Sequence, residues 1–311
     1  MRILFHYAAG PELAARLAAL GLDLVTCPEA DDERLFGLLP QTEVIWHSIR
    51  RADAAMMDAA PKLRLIQKIG VGVNTIDIDA ARDRGIAVCN LPGTNARAVA
   101  EHALLLMLAA LRRLPQFDAA TRAGQGWSLD PAMQDGLGEL GGRTVGLIGY
   151  GEIPRVLAPV LVALGCRVLY TARTERPDAV ATFVGLDALL AQSDVVSLHV
   201  PLSDETANLI DAARLARMKP GAILVNTARG GLVDQAALME ALRTGRLAAA
   251  GLDVLAEEPA DPADPLFGLR NVVLTPHVAW ITDGTFERSF ALAAENVRRL
   301  AAGEALLHRV V

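Results

Sequence analysis

The sequence predicts an α/β protein built from two doubly wound parallel-sheet domains. Short apolar runs alternate with helical stretches in the first hundred residues, and the same alternation starts again near Thr144. Strands that alternate with helices are typical of a parallel sheet covered by helices on both faces. The length of 311 residues fits about two domains, and 52% hydrophobic with 21% charged residues excludes a disordered chain.

The first alternation contains five predicted strands. Each is a short apolar run bounded by polar or turn-forming residues. The runs lie at residues 3–7, 22–26, 44–47, 63–69 and 86–89. A helical pattern at residues 11–20 lies between the first two runs and ends at Gly21.

A long helix separates the two alternations. It begins near Ala96, and we expect it to be buried between two layers because its apolar residues cover nearly the whole circumference. Those residues include Val99, Ala103, Leu104, Leu106, Met107, Leu108 and Leu111. The segment 124–142 that follows is rich in glycine and contains Pro131, and it is predicted to be a loop.

The second alternation contains six predicted strands with short connections, which is what a doubly wound dinucleotide-binding fold requires. These strands lie at residues 144–148, 167–171, 195–198, 222–226, 249–253 and 272–275. A final helix is predicted at about residues 284–301.

Charge and composition argue against several classes of function. The net charge is −6, and no run of Lys and Arg supplies a local basic patch for nucleic acid. The apolar run 103–111 is too short to span a membrane. Three widely spaced cysteines without a CxxC pair indicate reduced thiols, and six scattered histidines argue against a metal site. We therefore expect a cytoplasmic protein without metal, membrane or nucleic-acid partners.

The strongest local motif is a glycine pair, Gly149-x-Gly151, between a strand and a helix. Gly149 permits a tight turn, and Gly151 lets the backbone approach a pyrophosphate. The helix that begins at Glu152 and Ile153 offers free N–H groups and a partial positive charge. Glycine pairs also occur in ordinary strand-to-helix turns, but the context on both sides favours a dinucleotide site. Tyr150 lies within this predicted loop, and Pro154 replaces the third glycine of the usual fingerprint.

The next strand indicates which dinucleotide is preferred. NAD-binding folds usually place an acidic residue at its end, about 20 residues after the glycines, to bind the ribose 2′-hydroxyl. Thr171 and Ala172 stand there instead, and Arg173 and Arg176 follow. Two solvated surface arginines would be the ordinary explanation. The missing acid and the added bases together favour NADP(H), with NAD(H) as the second choice.

Seven segments together resemble the D-isomer-specific 2-hydroxyacid dehydrogenases. They cover nearly the whole chain in the family's order and lie at residues 70–77, 98–102, 149–154, 226–230, 251–254, 257–259 and 275–280. Within the family, residues 170–173 look like those of the NADPH-using glyoxylate and hydroxypyruvate reductases.

The resemblance implies a Rossmann-type cofactor domain inserted into a flavodoxin-like substrate domain. The substrate domain would comprise residues 1–95 and 283–311, and the cofactor domain residues 96–282. The two alternations and the final helix fit this division. The resemblance also implies a homodimer in which the cofactor domains pair.

Three residues at successive strand ends carry the chemistry by resemblance. His277 is the expected general acid/base, and Glu258 would bond its other ring nitrogen and stabilise the imidazolium. Arg229 would bind the substrate carboxylate and polarise the keto oxygen. Taken singly, each could be an ordinary loop residue, but ligands in open α/β sheets bind where strands end.

Further positions carry over from the family with supporting roles. The expected cofactor-binding residues, besides the glycine loop and the Ala172–Arg176 region, are Pro201, Thr206, Thr227, Ala228, Arg229, Asp253, His277 and Ala279. Asp253 would bond the nicotinamide carboxamide. The expected substrate-binding residues are Ile49, Val71, Gly72, Arg229, His277 and Trp280. Trp46 is a further candidate for bounding the substrate side chain, although large aromatic residues more often lie in a core.

The sequence therefore predicts an oxidoreductase that transfers a hydride between NAD(P)H and a small 2-keto acid, of the glyoxylate or hydroxypyruvate reductase type. A cofactor-sensing regulatory protein on the same scaffold, such as a corepressor, is the alternative. An enzyme of formate or phosphite fits less well, because formate enzymes of this scaffold usually carry Gln where Glu258 stands.

Overall fold

The computed structural model describes residues 1–128 and 131–311. It separates into two compact units, a first unit of Met1–Asn95 with Thr282–Val311 and a second unit of Ala96–Ile281. Each unit contains one sheet in which all paired strands are parallel. The predicted α/β fold class is confirmed.

Strands and helices alternate along the described residues. The strands are β1 (Ile3–His6), β2 (Leu24–Cys27), β3 (Val44–His47), β4 (Leu65–Lys68), β5 (Ala87–Cys89), β6 (Thr144–Ile148), β7 (Arg167–Thr171), β8 (Thr182–Phe183), β9 (Val195–Leu198), β10 (Ala222–Asn226), β11 (Leu247–Leu252) and β12 (Val272–Leu274). The helices are α1 (Pro11–Ala18), α2 (Asp32–Leu38), α3 (Ala54–Asp58), α4 (Ile78–Asp83), α5 (Ala96–Leu111), α6 (Leu114–Arg122), α7 (Glu152–Ala163), α8 (Leu186–Gln192), α9 (Ala212–Arg217), α10 (Gln235–Arg243) and α11 (Asp283–Ala302).

Two of these elements are absent from the sequence prediction. Helix α6 buries none of its residues, and strand β8 is a two-residue edge strand with both side chains exposed. Neither contributes a buried side chain to a core. In the described part of the predicted loop 124–142, the regular structure is a short 3-10 turn at Pro131–Met133, and residues 129–130 of that loop lie outside the described residues.

The sheet of the first unit has the strand order β2-β1-β3-β4-β5, which is the flavodoxin-like order. One face carries an aromatic cluster in which the ring of Trp46 stacks on Phe290 of α11 at 5.5 Å and meets the edge of Phe5 at 6.1 Å. Trp46 is fully buried. The structure thus places Trp46 in this core, and the expectation that it bounds a substrate side chain is corrected.

The sheet of the second unit has the order β12-β11-β10-β9-β6-β7-β8. Counted from β6, this is the doubly wound order 3-2-1-4-5-6 with β12 added at one edge. The order reverses between β6 and β9, which pair in parallel with Ile148 opposite Leu198. In such sheets ligands bind beyond the carboxyl ends of the strands at the reversal.

Helix α5 is only partly buried, contrary to the sequence prediction. Its residue Leu106 lies against β11, where Gly251 leaves no room for a side chain because a Cβ there would be 2.8 Å from the Leu106 Cβ. On another face, Leu105 and Leu108 are 50% and 39% exposed. The prediction of complete burial is wrong here because an apolar pattern does not reveal which apolar residues the chain itself covers.

Gly149 joins β6 to α7 at the reversal of strand order. Its φ is +99°, and a Cβ at this position would lie 2.6 Å from the carbonyl oxygen of His199, which follows β9. Gly151 differs, because its φ is −91° and no atom lies within 4 Å of the place a Cβ would occupy. Gly149 is therefore required by the fold, whereas Gly151 leaves space free.

We expect Gly149→Ala to lower the free energy of unfolding by about 1–3 kcal/mol, since the added methyl group meets backbone and the positive φ disfavours alanine. Gly151→Ala is the matched control and should change stability by less than about 0.5 kcal/mol. Urea unfolding of the two variants measures the difference. Equal stability of both would contradict this account of the turn.

Candidate active site

Glu258 and His277 form a direct pair in the second unit. Glu258 lies in the loop after β11, and His277 in the loop after β12. The His277 Nδ1 is 2.6 Å from the Glu258 Oε2, and the two side chains are 23% and 28% exposed. The other carboxylate oxygen of Glu258 accepts a hydrogen bond of 3.0 Å from the Leu255 N–H. The pair is thus held at a fixed angle while keeping limited contact with solvent.

Several partners keep Glu258 ionised. Burial by itself would raise the pKa of this carboxyl, but the hydrogen bond and charge of His277, the Leu255 N–H and the charge of Arg229 outweigh burial and lower it below its usual value. Glu258 is therefore a carboxylate at neutral pH, available to accept the Nδ1 proton of His277. This leaves the Nε2 of His277 as the ring nitrogen that can exchange a proton with another molecule.

Arg229 lies in the loop after β10 and completes the group. Burial lowers the pKa of the Arg229 guanidinium, and the nearby charge of Glu258 opposes this effect. The Arg229 Nη1 donates to the Ala228 carbonyl at 2.6 Å. The buried side chain of Asn226 shapes the loop, because its amide donates to the Arg229 carbonyl and its oxygen accepts from the Ala228 N–H. The structure thus brings together all three residues expected to carry the chemistry.

Gly230 allows the loops after β10 and β11 to touch. A Cβ at Gly230 would lie 1.9 Å from the Leu255 carbonyl oxygen and 2.5 Å from the Ala256 nitrogen. Every other residue would force these two backbones apart. Because Arg229 precedes Gly230 and Glu258 follows Ala256, this close approach sets the separation between the guanidinium and the carboxylate.

Asp253 holds the loop that carries His277. Its fully buried carboxylate accepts hydrogen bonds of 2.9 Å from the N–H groups of Val278 and Ala279. The Asp253 carbonyl also accepts the His277 N–H at 2.7 Å. His277 has a φ of +56°, a backbone conformation that is costly for residues other than glycine. The bonds to Asp253 on either side stabilise that conformation.

Two further side chains contact Asp253. The Thr275 hydroxyl donates to the Asp253 Oδ1 at 2.6 Å, and the His102 Nε2 lies 2.9 Å from the same hydroxyl and 3.5 Å from the Asp253 Oδ1. His102 comes from α5, on a different part of the second unit's chain. Asp253, expected as a nicotinamide ligand, is therefore also the centre of a hydrogen-bond network behind His277.

The glycine loop presents backbone rather than side chains. Helix α7 begins at Glu152 with Gly151 as its N-cap, and no side chain bonds the first N–H groups. Pro154 is the third residue of the helix, where its missing N–H costs no helical bond. Tyr150 is buried, with its ring 4.2 Å from that of Tyr170. In this arrangement Tyr150, Glu152 and Ile153 offer a ligand their main chain.

The end of β7 carries the two arginines that suggested NADP(H). Arg173 and Arg176 are exposed, and Ala172 is half-buried. The Tyr170 hydroxyl accepts the Arg176 N–H at 2.6 Å, which fixes the course of this loop. Within the described residues neither guanidinium has a carboxylate within ion-pair distance. Both guanidinium groups are thus open to an anionic ligand, although the charge of Arg176 also acts on Asp178 and helps to lower the pKa of that carboxyl.

The loops after β9 and β10 hold the other expected cofactor residues. The Thr206 hydroxyl donates to the Pro201 carbonyl at 2.7 Å and accepts the Ser203 N–H, so these residues form one closed turn. The Thr227 hydroxyl is buried and has no hydrogen-bond partner among the described residues. Ala279 is buried beside Asp253, to which its N–H is bonded.

The expected substrate residues lie in both units, and each is described within its own unit. In the first unit, the Ile49 N–H donates to the Glu29 carboxylate at 2.9 Å. Val71 is exposed and precedes Gly72, and its carbonyl accepts from the Asn90 amide. Trp280, in the second unit, is buried.

The residues present in the second unit fit a nicotinamide dinucleotide. The space beside Gly151 and the uncapped start of α7 suit a pyrophosphate, since both offer unobstructed N–H groups. The orphaned Thr227 hydroxyl offers a polar group near the strand ends. Among the described residues no cluster of His, Cys, Asp or Glu is arranged to hold a metal, and no helix is long and apolar enough to cross a membrane.

Sequence reasoning missed four residues that build this site. Gly230 and Asn226 shape the Arg229 loop, and Thr275 and His102 contact Asp253. All four occur in segments that carry the family resemblance, but their roles depend on contacts between distant parts of the chain. A threonine two residues before the expected general acid was the one visible signal.

Comparison with known proteins agrees with the geometry. The family model "D-isomer specific 2-hydroxyacid dehydrogenase, NAD binding domain" matches residues 104–279. The crystal structure of TT0316 protein from Thermus thermophilus is similar over 100% of both chains, with a TM-score of 0.89 and 40% identity.

Two groups of curated relatives bear different names. D-3-phosphoglycerate dehydrogenase of Mycobacterium leprae is 41% identical over 279 residues, covering 88% of this chain and 52% of the relative, so the chain spans about half that relative's length. Glyoxylate reductase of Aeropyrum pernix is 42% identical over 262 residues, covering 82% of this chain and 78% of the relative. The chain belongs to the D-isomer-specific 2-hydroxyacid dehydrogenase family.

Proposed function

We propose that this chain reduces small 2-keto acids to D-2-hydroxy acids with a nicotinamide cofactor, and that glyoxylate and hydroxypyruvate are its preferred substrates. The observation that carries the proposal is the 2.6 Å contact between His277 and an ionised Glu258, with Arg229 close enough to influence Glu258. A proton donor and a fixed cation are the two groups that ketone reduction requires from the protein.

His277 supplies the proton in this proposal. Its Nδ1–H donates to Glu258, and its Nε2 donates to the keto oxygen as that oxygen gains negative charge. A reduced nicotinamide bound at the second unit's glycine loop would supply the hydride for the carbonyl carbon. The product is the 2-hydroxy acid, and the imidazole is left neutral until solvent protonates it again. In the reverse direction the neutral imidazole accepts the hydroxyl proton.

Arg229 holds the substrate by its carboxylate. Its planar guanidinium suits a carboxylate in geometry and charge, and it can also stabilise the developing charge on the keto oxygen. Burial of this cation strengthens the attraction, because the surrounding dielectric is lower than that of water. The proposal keeps Ile49, Val71, Gly72 and Trp280 as further substrate-binding residues, by resemblance to the family.

The proposal assigns the cofactor to the second unit. The N–H groups at Gly151, Glu152 and Ile153 would bind the pyrophosphate, and Arg173 with Arg176 would bind a ribose 2′-phosphate. We therefore propose NADP(H) as the preferred cofactor and NAD(H) as an accepted one. Pro201, Thr206, Thr227, Ala228 and Asp253 are the remaining proposed contacts.

A second candidate substrate follows from the relatives. Those named D-3-phosphoglycerate dehydrogenase are about as similar as those named glyoxylate reductase, and their substrate would also be a 2-hydroxy acid. The non-enzymatic alternative, a cofactor-sensing regulator, is disfavoured by the intact group of Arg229, Glu258 and His277.

We further propose that two copies of the chain associate through their cofactor domains. Supporting this, large apolar side chains of the second unit remain exposed, among them Leu105, Leu108, Leu114 and the 98% exposed Trp127. Patches of this kind are typical of protein interfaces. Three buried cysteines without disulfides support the proposal that the protein works in the cytoplasm.

A spectrophotometric panel tests the function. Glyoxylate, hydroxypyruvate, pyruvate, phenylpyruvate and 3-phosphohydroxypyruvate are each offered with NADPH and with NADH. The proposal expects the highest kcat/KM for glyoxylate or hydroxypyruvate with NADPH. Preference for the phosphorylated acid would favour the second candidate. Cofactor binding without turnover of any substrate would favour the regulator.

His277→Ala should lower kcat by about 10²–10⁴, the usual contribution of a general acid–base group. His308→Ala is the matched control, because His308 is exposed and has a similar φ of +52°. Steady-state rates of both variants measure the effect. Near-normal turnover of the His277 variant would refute the role assigned to this side chain.

Arg173→Ala should raise the KM for NADPH by about 10- to 100-fold, since a hydrogen bond to a charged group contributes about 1.5–3 kcal/mol. The KM for NADH should change little, because NADH has no 2′-phosphate. Arg167→Ala, at the other end of β7, serves as the control. Equal effects on both cofactors would reject the 2′-phosphate site.

A further inference from the structure

The geometry points to a positioning device behind the catalytic histidine, in which His102 and Thr275 orient Asp253 and, through Asp253, the loop that carries His277. This inference rests on the proposed function for its kinetic consequence, but its structural part can be tested without turnover. The contacts that carry it all lie in the second unit.

The hydrogen bonds define the direction of the network. The Thr275 hydroxyl has one proton and donates it to the Asp253 Oδ1 at 2.6 Å. The same hydroxyl can then only accept from the His102 Nε2, which lies 2.9 Å away. His102 therefore carries a proton on Nε2. His102 thus donates to the Thr275 hydroxyl, and this hydroxyl donates to the Asp253 Oδ1. The His102 side chain is 14% exposed.

The orientation of the Asp253 carboxylate matters because it holds the backbone of the loop after β12. One carboxylate oxygen bonds the Val278 N–H and the other the Ala279 N–H, each at 2.9 Å. Rotation of the carboxylate would break both bonds. The adjoining residue His277, with its φ of +56°, would then lose what stabilises its unfavourable conformation.

The Thr275 hydroxyl fixes that rotation. Its bond goes to the same Oδ1 that accepts from Val278, so the carboxylate is held from two sides. His102 in turn orients the hydroxyl, because a hydroxyl that accepts from His102 must aim its proton elsewhere. The network thus links α5, through successive hydrogen bonds, to the backbone of the loop that carries His277. Thr275 and His102 are positioning residues, and neither needs to touch the substrate.

The consequence for catalysis concerns rate more than affinity. An error in the position of a reacting group of about 1 Å can cost about 10²-fold in rate. Loss of the Thr275 hydroxyl should therefore lower kcat, while the KM for the keto acid, which depends on Arg229, changes little. If Thr275 had only a structural role, its loss would lower thermal stability but would not lower kcat selectively while leaving KM unchanged.

The test uses Thr275→Val, which keeps the shape of the side chain and removes the hydroxyl, and Thr275→Ser, which restores the hydroxyl. Thr244→Val is the control for loss of a threonine hydroxyl elsewhere in the second unit, where Thr244 bonds the Glu240 carbonyl. Proton NMR follows the Nδ1 proton of His277, which we expect to be strongly deshielded by its 2.6 Å contact with Glu258, and Glu258→Gln assigns the signal.

We expect the Thr275→Val protein to lose or shift this signal and to lose about 10- to 100-fold in kcat. The serine variant should keep both, and the Thr244 control should resemble the parent. An unchanged signal and rate in the valine variant would overturn the inference. So would equal losses in the valine and serine variants, because the hydroxyl would then not be the determinant.

Two further arms keep the test decisive. If Thr275→Val does not fold, His102→Gln, which keeps a side-chain N–H donor, is compared with His102→Leu by the same criteria. Nitrogen NMR of the histidine rings should also show His102 protonated on Nε2, and the opposite tautomer would contradict the network. If the parent reduces none of the keto acids, the proposed function fails, while the NMR signals still decide the positioning role.

Discussion

The hydrogen bond between Glu258 and His277 is the interaction on which the rest of the site depends. It requires side chains on two different loops to come within 2.6 Å of each other, and three features of the fold provide for this. Gly230 lets the loops after β10 and β11 touch, and the Asp253 carboxylate accepts hydrogen bonds from the loop after β12. Because the strands are parallel, all these loops lie at one edge of the sheet. Several independent contacts therefore fix the backbone on both sides of this pair of side chains.

Charge explains why this pair needs such a frame. Burial disfavours the ionised form of Glu258, yet its bonds and charged neighbours keep it ionised. Arg229 is also partly buried and stays near the same carboxylate. Arg229, Glu258 and His277 thus form a partly buried group, in which charge interactions are stronger than in solvent. The same conditions favour binding and reduction of a small anionic ketone.

Sequence reasoning predicted the alternation of strands and helices, the glycine turn, and the trio of Arg229, Glu258 and His277. Those features leave local signals, such as apolar runs, glycines before a helix and family motifs. It missed α6 and β8, neither of which contributes a buried side chain to a core. It also missed Thr275 and His102, because their significance arises only when α5 packs beside the loop after β12. Trp46 lies in the core, the more frequent place for a large aromatic residue, and not at a substrate pocket.

The kcat for glyoxylate reduction, in the parent and in Glu258→Gln, tests the central claim most directly. The surroundings of Glu258 lower the pKa of its carboxyl, so the parent holds a carboxylate against the Nδ1 of His277 at neutral pH, whereas a glutamine keeps the size of the side chain without the charge. The account predicts that the variant loses about 10²-fold or more in kcat, because the proton donor loses its anionic partner. Equal kcat in both proteins would show that Glu258 does not support the proton donor, and would contradict the account.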